Sequence, residues 1–262
     1  MNVYFHELKA NRIFVVIWLV VMLCLGFIMT SFYPTIESDI DAFIKIMENY
    51  PESIRAAFGM NLKTMDSVVG YYSSFPLTFL LICSAIEAMI LGVSILSKEV
   101  RDKTADFLFT KPISRFYIVT AKMKAAVTLL LGSNIILFIC MYFIVLGFSN
   151  NNFEFNTFFL LTLTLFIIQL IFLSLGMLIS VIPSKIKSPL PISMGVVFGL
   201  YALSTFADDK MRFFIPFKYF DSAYILNNVS YEFTYLILTS IILLVSTIMT
   251  YVIYLKKDIH SV

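Results

Sequence analysis

"FPLTFLLICSAIEAMILGVSILS", Phe75 to Ser97, carries a single charged residue, Glu87, in an otherwise apolar run. A bilayer core about 30 Å thick needs roughly 20 apolar residues at 1.5 Å rise per residue, so this stretch is long enough to cross it as a helix. Five more runs read the same way: Ile13–Tyr33, Ala125–Phe148, Thr157–Ile182, Leu190–Ala207 and Phe233–Leu255. Composition agrees. The chain is 60% hydrophobic and 14% charged, whereas a soluble domain is roughly half apolar and about a quarter charged. The expected fold is an all-α integral membrane protein, residues 1–262 forming one transmembrane domain of six helices. The first run is too long for a signal peptide and ends in Ser31, Phe32, Tyr33 and Pro34 without a small-residue cleavage pattern. The net charge of +2 leaves no nucleic-acid footprint.

Loop charges predict the orientation, because Lys and Arg are retained on the cytosolic side. Lys9 and Arg12 precede the first run, and seven basic residues from Lys98 to Lys124 lie between the second and third. Lys185 and Lys187 follow the fourth, and Lys256 and Lys257 the sixth. All four groups fall on one side. Glu37, Asp39, Asp41, Glu48, Glu52 and Asp66 fall on the other, against Lys45, Arg55 and Lys63. Both termini are therefore expected in the cytosol. An outer amphipathic helix is expected from the helical spacing of Ile40, Phe43, Ile44 and Met47, followed by a short one opened by Pro51. Before the first span, Tyr4, Phe5 and Leu8 share a face while Glu7, Lys9 and Asn11 point elsewhere, which predicts a short interfacial helix on the cytosolic side. The connection from Asp208 to Glu232 reads as a nearly charge-balanced outer loop.

The stretch "KTADFLFTKPISRFYIVTAKMKA", Lys103 to Ala125, is basic and broken by proline between two of the most apolar runs. A helix can continue from the second span with Val100, Thr104, Phe107 and Leu108 on one side, but Pro112 disfavours the helical conformation at Lys111. Ser114 is placed to cap a new helix starting near Arg115. The product is an elbow of two helices. One reading is a positively charged topology anchor on lipid head groups.

A second reading comes from resemblance. "SILSKEVRDKTADFLFTKPISRFYIVTAKMKA" resembles the signature of type 2 ATP-binding-cassette transporter permeases, with Glu99, Thr104, Pro112, Ser114, Arg115 and Lys122 at matching positions. Lys103 stands where a glycine is usual, and Ala121 precedes Lys122. "YPESIRAAFGM", Tyr50 to Met60, and "FHELKANR", Phe5 to Arg12, are similar to other segments of that family. The resemblance implies a cytosolic coupling helix between the second and third spans, seated on an ATPase, with Glu99, Thr104, Phe107, Leu108, Lys111, Pro112, Ser114 and Arg115 as coupling residues. It implies two copies of a separate ATPase subunit, a second permease, identical or related, and a bacterial-type cytoplasmic membrane. No G-x-x-x-x-G-K-[ST] phosphate loop occurs in the chain. The expected chain is thus not an enzyme and binds no cofactor, with ATP and magnesium residing on the partner. An amphipathic peptide or drug, exported, is the expected substrate.

Within the spans, Glu87 sits where a charge costs roughly 2.5–3.5 kcal/mol and must face protein or water. A structural role and a place on the translocation path both remain open for it, as for Asn134 and Gln169. Gly195 and Gly199 form a G-x-x-x-G pair expected to pack helices. Cys24, Cys83 and Cys140 read as small core hydrophobes with no metal-ligand spacing. His6 and His260 lie near the chain ends, and the spans contain no nucleophile, acid or metal constellation for an intramembrane enzyme. No convincing internal repeat is found. The alternative function is a secondary transporter or channel working without an ATPase.

Overall fold

A computed structural model describes residues 2–51, 54–55, 58–60, 62, 64–65, 67–102, 114–149, 153–183, 186–206 and 209–256. Among them the regular elements are helical: α1 (Val3–Ser31), α2 (Tyr33–Ser38), α3 (Ile40–Glu48), α4 (Val68–Arg101), α5 (Arg115–Gly147), α6 (Phe155–Val181), α7 (Pro189–Phe206), α8 (Ser222–Asn228) and α9 (Phe233–Lys256). Two 3₁₀ turns, Asp209–Phe214 and Pro216–Lys218, precede α8. Six helices are long and apolar enough to cross a membrane: α1 continued by α2, then α4, α5, α6, α7 and α9. Helix is what hydrocarbon demands, because it pairs backbone donors and acceptors within one segment.

Local chemistry sets the helix ends. Asn2 caps α1 through Tyr4 N at 3.2 Å, Ser67 caps α4 through Gly70 N at 3.0 Å, and Ser114 caps α5 through Tyr117 N at 3.2 Å. The predicted cap at Ser114 is therefore present. Pro189 opens α7, where a missing amide donor costs least. The amphipathic segment after the first span is also helical: α3 keeps Asp41, Lys45 and Glu48 largely outward while Ile40, Phe43 and Ile44 are partly buried.

Helices α4 and α6 form the centre and make the most extensive contact in the fold. Their backbones touch at Gly92 and Gly176. A Cβ on Gly92 would lie 2.5 Å from the Leu173 carbonyl oxygen, and one on Gly176 would lie 2.8 Å from that of Met89. Only glycine permits so close an approach. Around this pair α1 packs on α5, while α7 and α9 sit at the flanks, with 11% and 17% of their apolar windows buried against 67% for α4. Phe198, Leu203, Leu244, Val245 and Ile248 point outward. In water so much exposed hydrocarbon would drive association, whereas lipid accepts it.

Four expectations need correction. The interfacial helix before the first span is not separate: α1 runs unbroken from Val3, because nothing between Leu8 and Ile13 breaks a helix. A Cβ added to Gly195 or Gly199 would meet no atom of the described residues within 4 Å, so among the described residues this pair packs against no helix. Cys24 is exposed rather than core, while Cys83 and Cys140 are half-buried. The connection around 209–232 is a folded cap rather than an open loop, with Ile215, Pro216, Tyr219, Phe220 and Ile225 buried. Tyr219 donates to the Phe213 carbonyl at 2.6 Å. Burial, and secondarily the neighbouring Tyr235 phenol, push its hydroxyl up to about 12, so it stays a donor at neutral pH.

Candidate functional site

Two buried polar clusters join the helices at different depths. The first lies where the elbow enters and leaves the bundle. Lys122, in the second turn of α5, is 1% exposed. Its Nζ donates to the Glu99 carboxylate at the end of α4 and to the Ile95 carbonyl at 2.5 Å, and lies 3.3 Å from Glu7 Oε1 on α1. The second oxygen of Glu7 accepts from Asn11 Nδ2 at 3.1 Å. Glu99 Oε2 is buried without a hydrogen-bond partner among the described residues. One ammonium thus holds two carboxylates from two other helices. Truncating it would leave the buried Glu7 and the half-buried Glu99 without their shared counter-charge.

Helix α9 reaches the same end of the bundle. Arg115 Nη1 donates to the Leu255 carbonyl at 3.4 Å, and the hydroxyls of Thr120 and Tyr251 lie 2.7 Å apart. The Phe116 and Tyr251 rings lie against each other with centroids 5.1 Å apart. Both flanks of the elbow are therefore fastened to the bundle, one through Glu99 and the other through Arg115 to Lys122. The elbow residues Thr104, Phe107, Leu108, Lys111 and Pro112 lie outside the described residues.

Glu7 corrects the sequence reading of the first helix. Val3 and Glu7 face inward, whereas Phe5 is 63% exposed. An isolated amphipathic helix would bury Phe5, but here the opposing lysine decides which face turns in. A signal for this site existed on α5: Ile118, Val119, Lys122, Ala125 and Ala126 recur at helical spacing and are all buried, so the lysine lies on an otherwise apolar inward stripe.

The second cluster lies mid-span and contains all three residues considered for a translocation path. Gln169 Nε2 on α6 donates to Glu87 Oε2 on α4 at 2.8 Å. Asn134 Nδ2 on α5 donates to Gln169 Oε1 and also to the Leu130 carbonyl at 2.7 Å. Glu87 and Gln169 are fully buried and Asn134 nearly so. Glu87 Oε1 and Asn134 Oδ1 have no hydrogen-bond partner among the described residues. The chain of amides ties three spans together around one carboxyl group. Glu87→Leu is expected to lower stability by about 1–3 kcal/mol, since it leaves the Gln169 amide donor unpaired, while Glu87→Gln keeps an acceptor and loses less. Thermal unfolding of the purified variants checks this; equal losses for Leu and Gln would show that the hydrogen bond is not what matters.

The family model described as "ABC-2 family transporter protein" matches residues 1–259 of the chain. No curated protein is matched by the sequence.

Proposed function

Since the chain belongs to the ABC-2 transporter family and is a multi-pass membrane permease, we propose that it is the non-catalytic membrane subunit of an ATP-driven exporter. Two ATPase subunits dock on the elbow between α4 and α5, and a second permease, identical or related, completes the path. ATP and magnesium sit on the ATPase. The termini face the cytosol, in a bacterial-type cytoplasmic membrane, and α2 and α3 lie outside. The basic residues grouped at the elbow end support that orientation; labelling of a cysteine placed at Lys124 by an impermeant reagent in intact cells would overturn it. The cargo is an amphipathic peptide or drug, in keeping with spans this apolar.

The observation that carries the coupling reading is the clasp of Lys122 on Glu99 and Glu7. A loop that served only as a charged anchor needs summed positive charge and no fixed geometry. A loop that transmits force needs both of its ends held to the moving helices, and the clasp supplies such a hold. Pro112→Ala with Ser114→Ala tests the difference, because net charge is unchanged while the turn and the helix cap are lost. The expected result is normal insertion with ATP hydrolysis no longer stimulated by substrate, or with the ATPase lost on purification. A double variant that transports like the parent assigns the elbow to anchoring instead.

A further inference from the structure

A slot of about 120 Å³ lies between α5, α6 and α9 in the half of the bundle nearest the elbow. Each helix lines it over about two turns: α5 from Val119 to Val127, α6 from Leu170 to Met177 and α9 from Leu243 to Tyr251. Such a span of helix rises about 12 Å, so the slot runs along the helices from the level of the elbow toward mid-span. So small a volume over that length suits a narrow chain rather than a bulky ring system. The walls offer an occupant little polarity. Ser174 and Thr250 already donate to the Ile171 and Ser246 carbonyls, each at 2.8 Å, and the Tyr251 hydroxyl is engaged with that of Thr120. Met123 and Met177 add adaptable apolar surface.

Met123 and Val127 also line a second opening, a groove of about 450 Å³ on the outside of α5 toward α1. Its other walls are Tyr4, Lys124 and Thr128. The Tyr4 hydroxyl donates to Thr128 Oγ1 at 3.2 Å, and Thr128 donates in turn to the Lys124 carbonyl at 2.8 Å, so both hydroxyl protons are taken. Lys124 is the charged residue of this wall; it is exposed and makes no ion pair among the described residues. Lys122, two residues earlier, is enclosed with Glu7 and Glu99 and cannot serve an outside ligand. Lys124 immediately precedes the apolar run Ala125–Phe148, which sets its ammonium at head-group level.

A free cation at that level, beside an apolar slot that leads inward, is complementary to an amphiphile with a negative head and a hydrocarbon tail. We propose that groove and slot together bind one anionic phospholipid of the elbow-side leaflet, its phosphate on Lys124 and one acyl chain passing Met123 and Val127 into the space between α5, α6 and α9. An acyl chain there lies against Tyr251, whose ring packs on Phe116 and whose hydroxyl meets Thr120, so the lipid braces the flank where α9 is fastened to the start of α5. The inference needs neither the ATPase nor transport, so it can fail while the proposed function stands.

The test uses the full chain, purified with any ATPase that accompanies it, in phosphatidylcholine nanodiscs containing a small fraction of phosphatidylglycerol with a photoreactive acyl chain. Mass spectrometry of the cross-linked peptides locates the chain. Parent protein is expected to be labelled on the slot residues of α5, α6 and α9 about fivefold more by this lipid than by equally reactive phosphatidylcholine, the scale of one cation beside an anionic head group. Lys124→Gln is expected to remove that preference. Val127→Phe and Thr247→Phe, which fill the slot from α5 and α9, are expected to abolish its labelling, and millimolar inorganic phosphate to leave it unchanged. The thermal midpoint reports folding, and the exposed Lys124→Gln carries the test if neither filled variant folds. Equal labelling by both lipids in the parent, a preference that survives Lys124→Gln, or labels spread evenly over the outward faces of α1 and α7 overturns the proposal. Displacement by inorganic phosphate overturns the lipid as ligand and leaves a free oxyanion site.

Discussion

Lys122→Met is expected to lower the stability of the permease by about 3–5 kcal/mol, the cost of removing one partner from a buried ion pair. The side chain of Lys122 is 1% exposed and that of Glu7 3%, so water cannot replace the lost ammonium without opening the joint of α1, α4 and α5. The measurements are the yield of monodisperse protein and its thermal midpoint. Combining Lys122→Met with Glu7→Gln and Glu99→Gln removes all three charges, and most of the stability is expected to return, because a neutral cluster has no uncompensated charge to bury. Coupling is not expected to return with it, since the neutral cluster lacks the ionic clasp that holds both ends of the elbow. Single and triple variants therefore separate folding from transmission. A Lys122→Met protein as stable as the parent, with substrate-stimulated ATP hydrolysis intact, would remove the clasp from the mechanism.

The second large effect belongs to the crossing of α4 and α6. A side chain at Gly92 meets the Leu173 carbonyl oxygen at 2.5 Å and the Met177 nitrogen at 3.0 Å. Both are backbone atoms, and no rotamer change can move them aside. Overpacking a core typically costs about 1–3 kcal/mol where side chains can shift. Gly92→Leu, pushing two backbones apart, is expected to abolish recovery of folded protein, and Gly92→Ala to lower its thermal midpoint clearly. Gly195→Leu supplies the contrast: with no described atom within 4 Å of its added Cβ, it is expected to leave the stability of the isolated permease unchanged. Size-exclusion profiles of the three variants check this. Normal recovery of Gly92→Leu would mean that the close approach is not required.

These two sites differ in how far local sequence announces them. The spans are legible because hydropathy over roughly 20 residues is a local property and the bilayer sets the length. The cap at Ser114 and the start at Pro189 are legible for the same reason, since capping concerns only the next few residues. Gly195 and Gly199 match a written spacing, yet the contact is made by Gly92 and Gly176, one from each of two helices and so never a spacing within either. Phe5 and Leu8 suggest the wrong inward face for the first helix, because periodicity weighs a helix alone and cannot see Lys122 across from Glu7.

Polar residues within the bundle show the division most clearly. Glu87, Asn134 and Gln169 each stand out in the chain, because a polar group in an apolar span must find a partner. That each needs one is a matter of residue chemistry. That they find one another follows from α4, α5 and α6 meeting at one depth, with Gln169 bridging the other two. Residue order is enough to specify six apolar helices, their capped and proline-marked ends and the set of polar residues that water cannot serve, since all of these rest on short-range energetics. Which helices become neighbours is settled only when the bundle packs. That packing makes a clasp of Glu7, Glu99 and Lys122 and puts two glycines at the central crossing. Such pairings depend on the simultaneous packing of whole helices, and no local pattern in the chain encodes them.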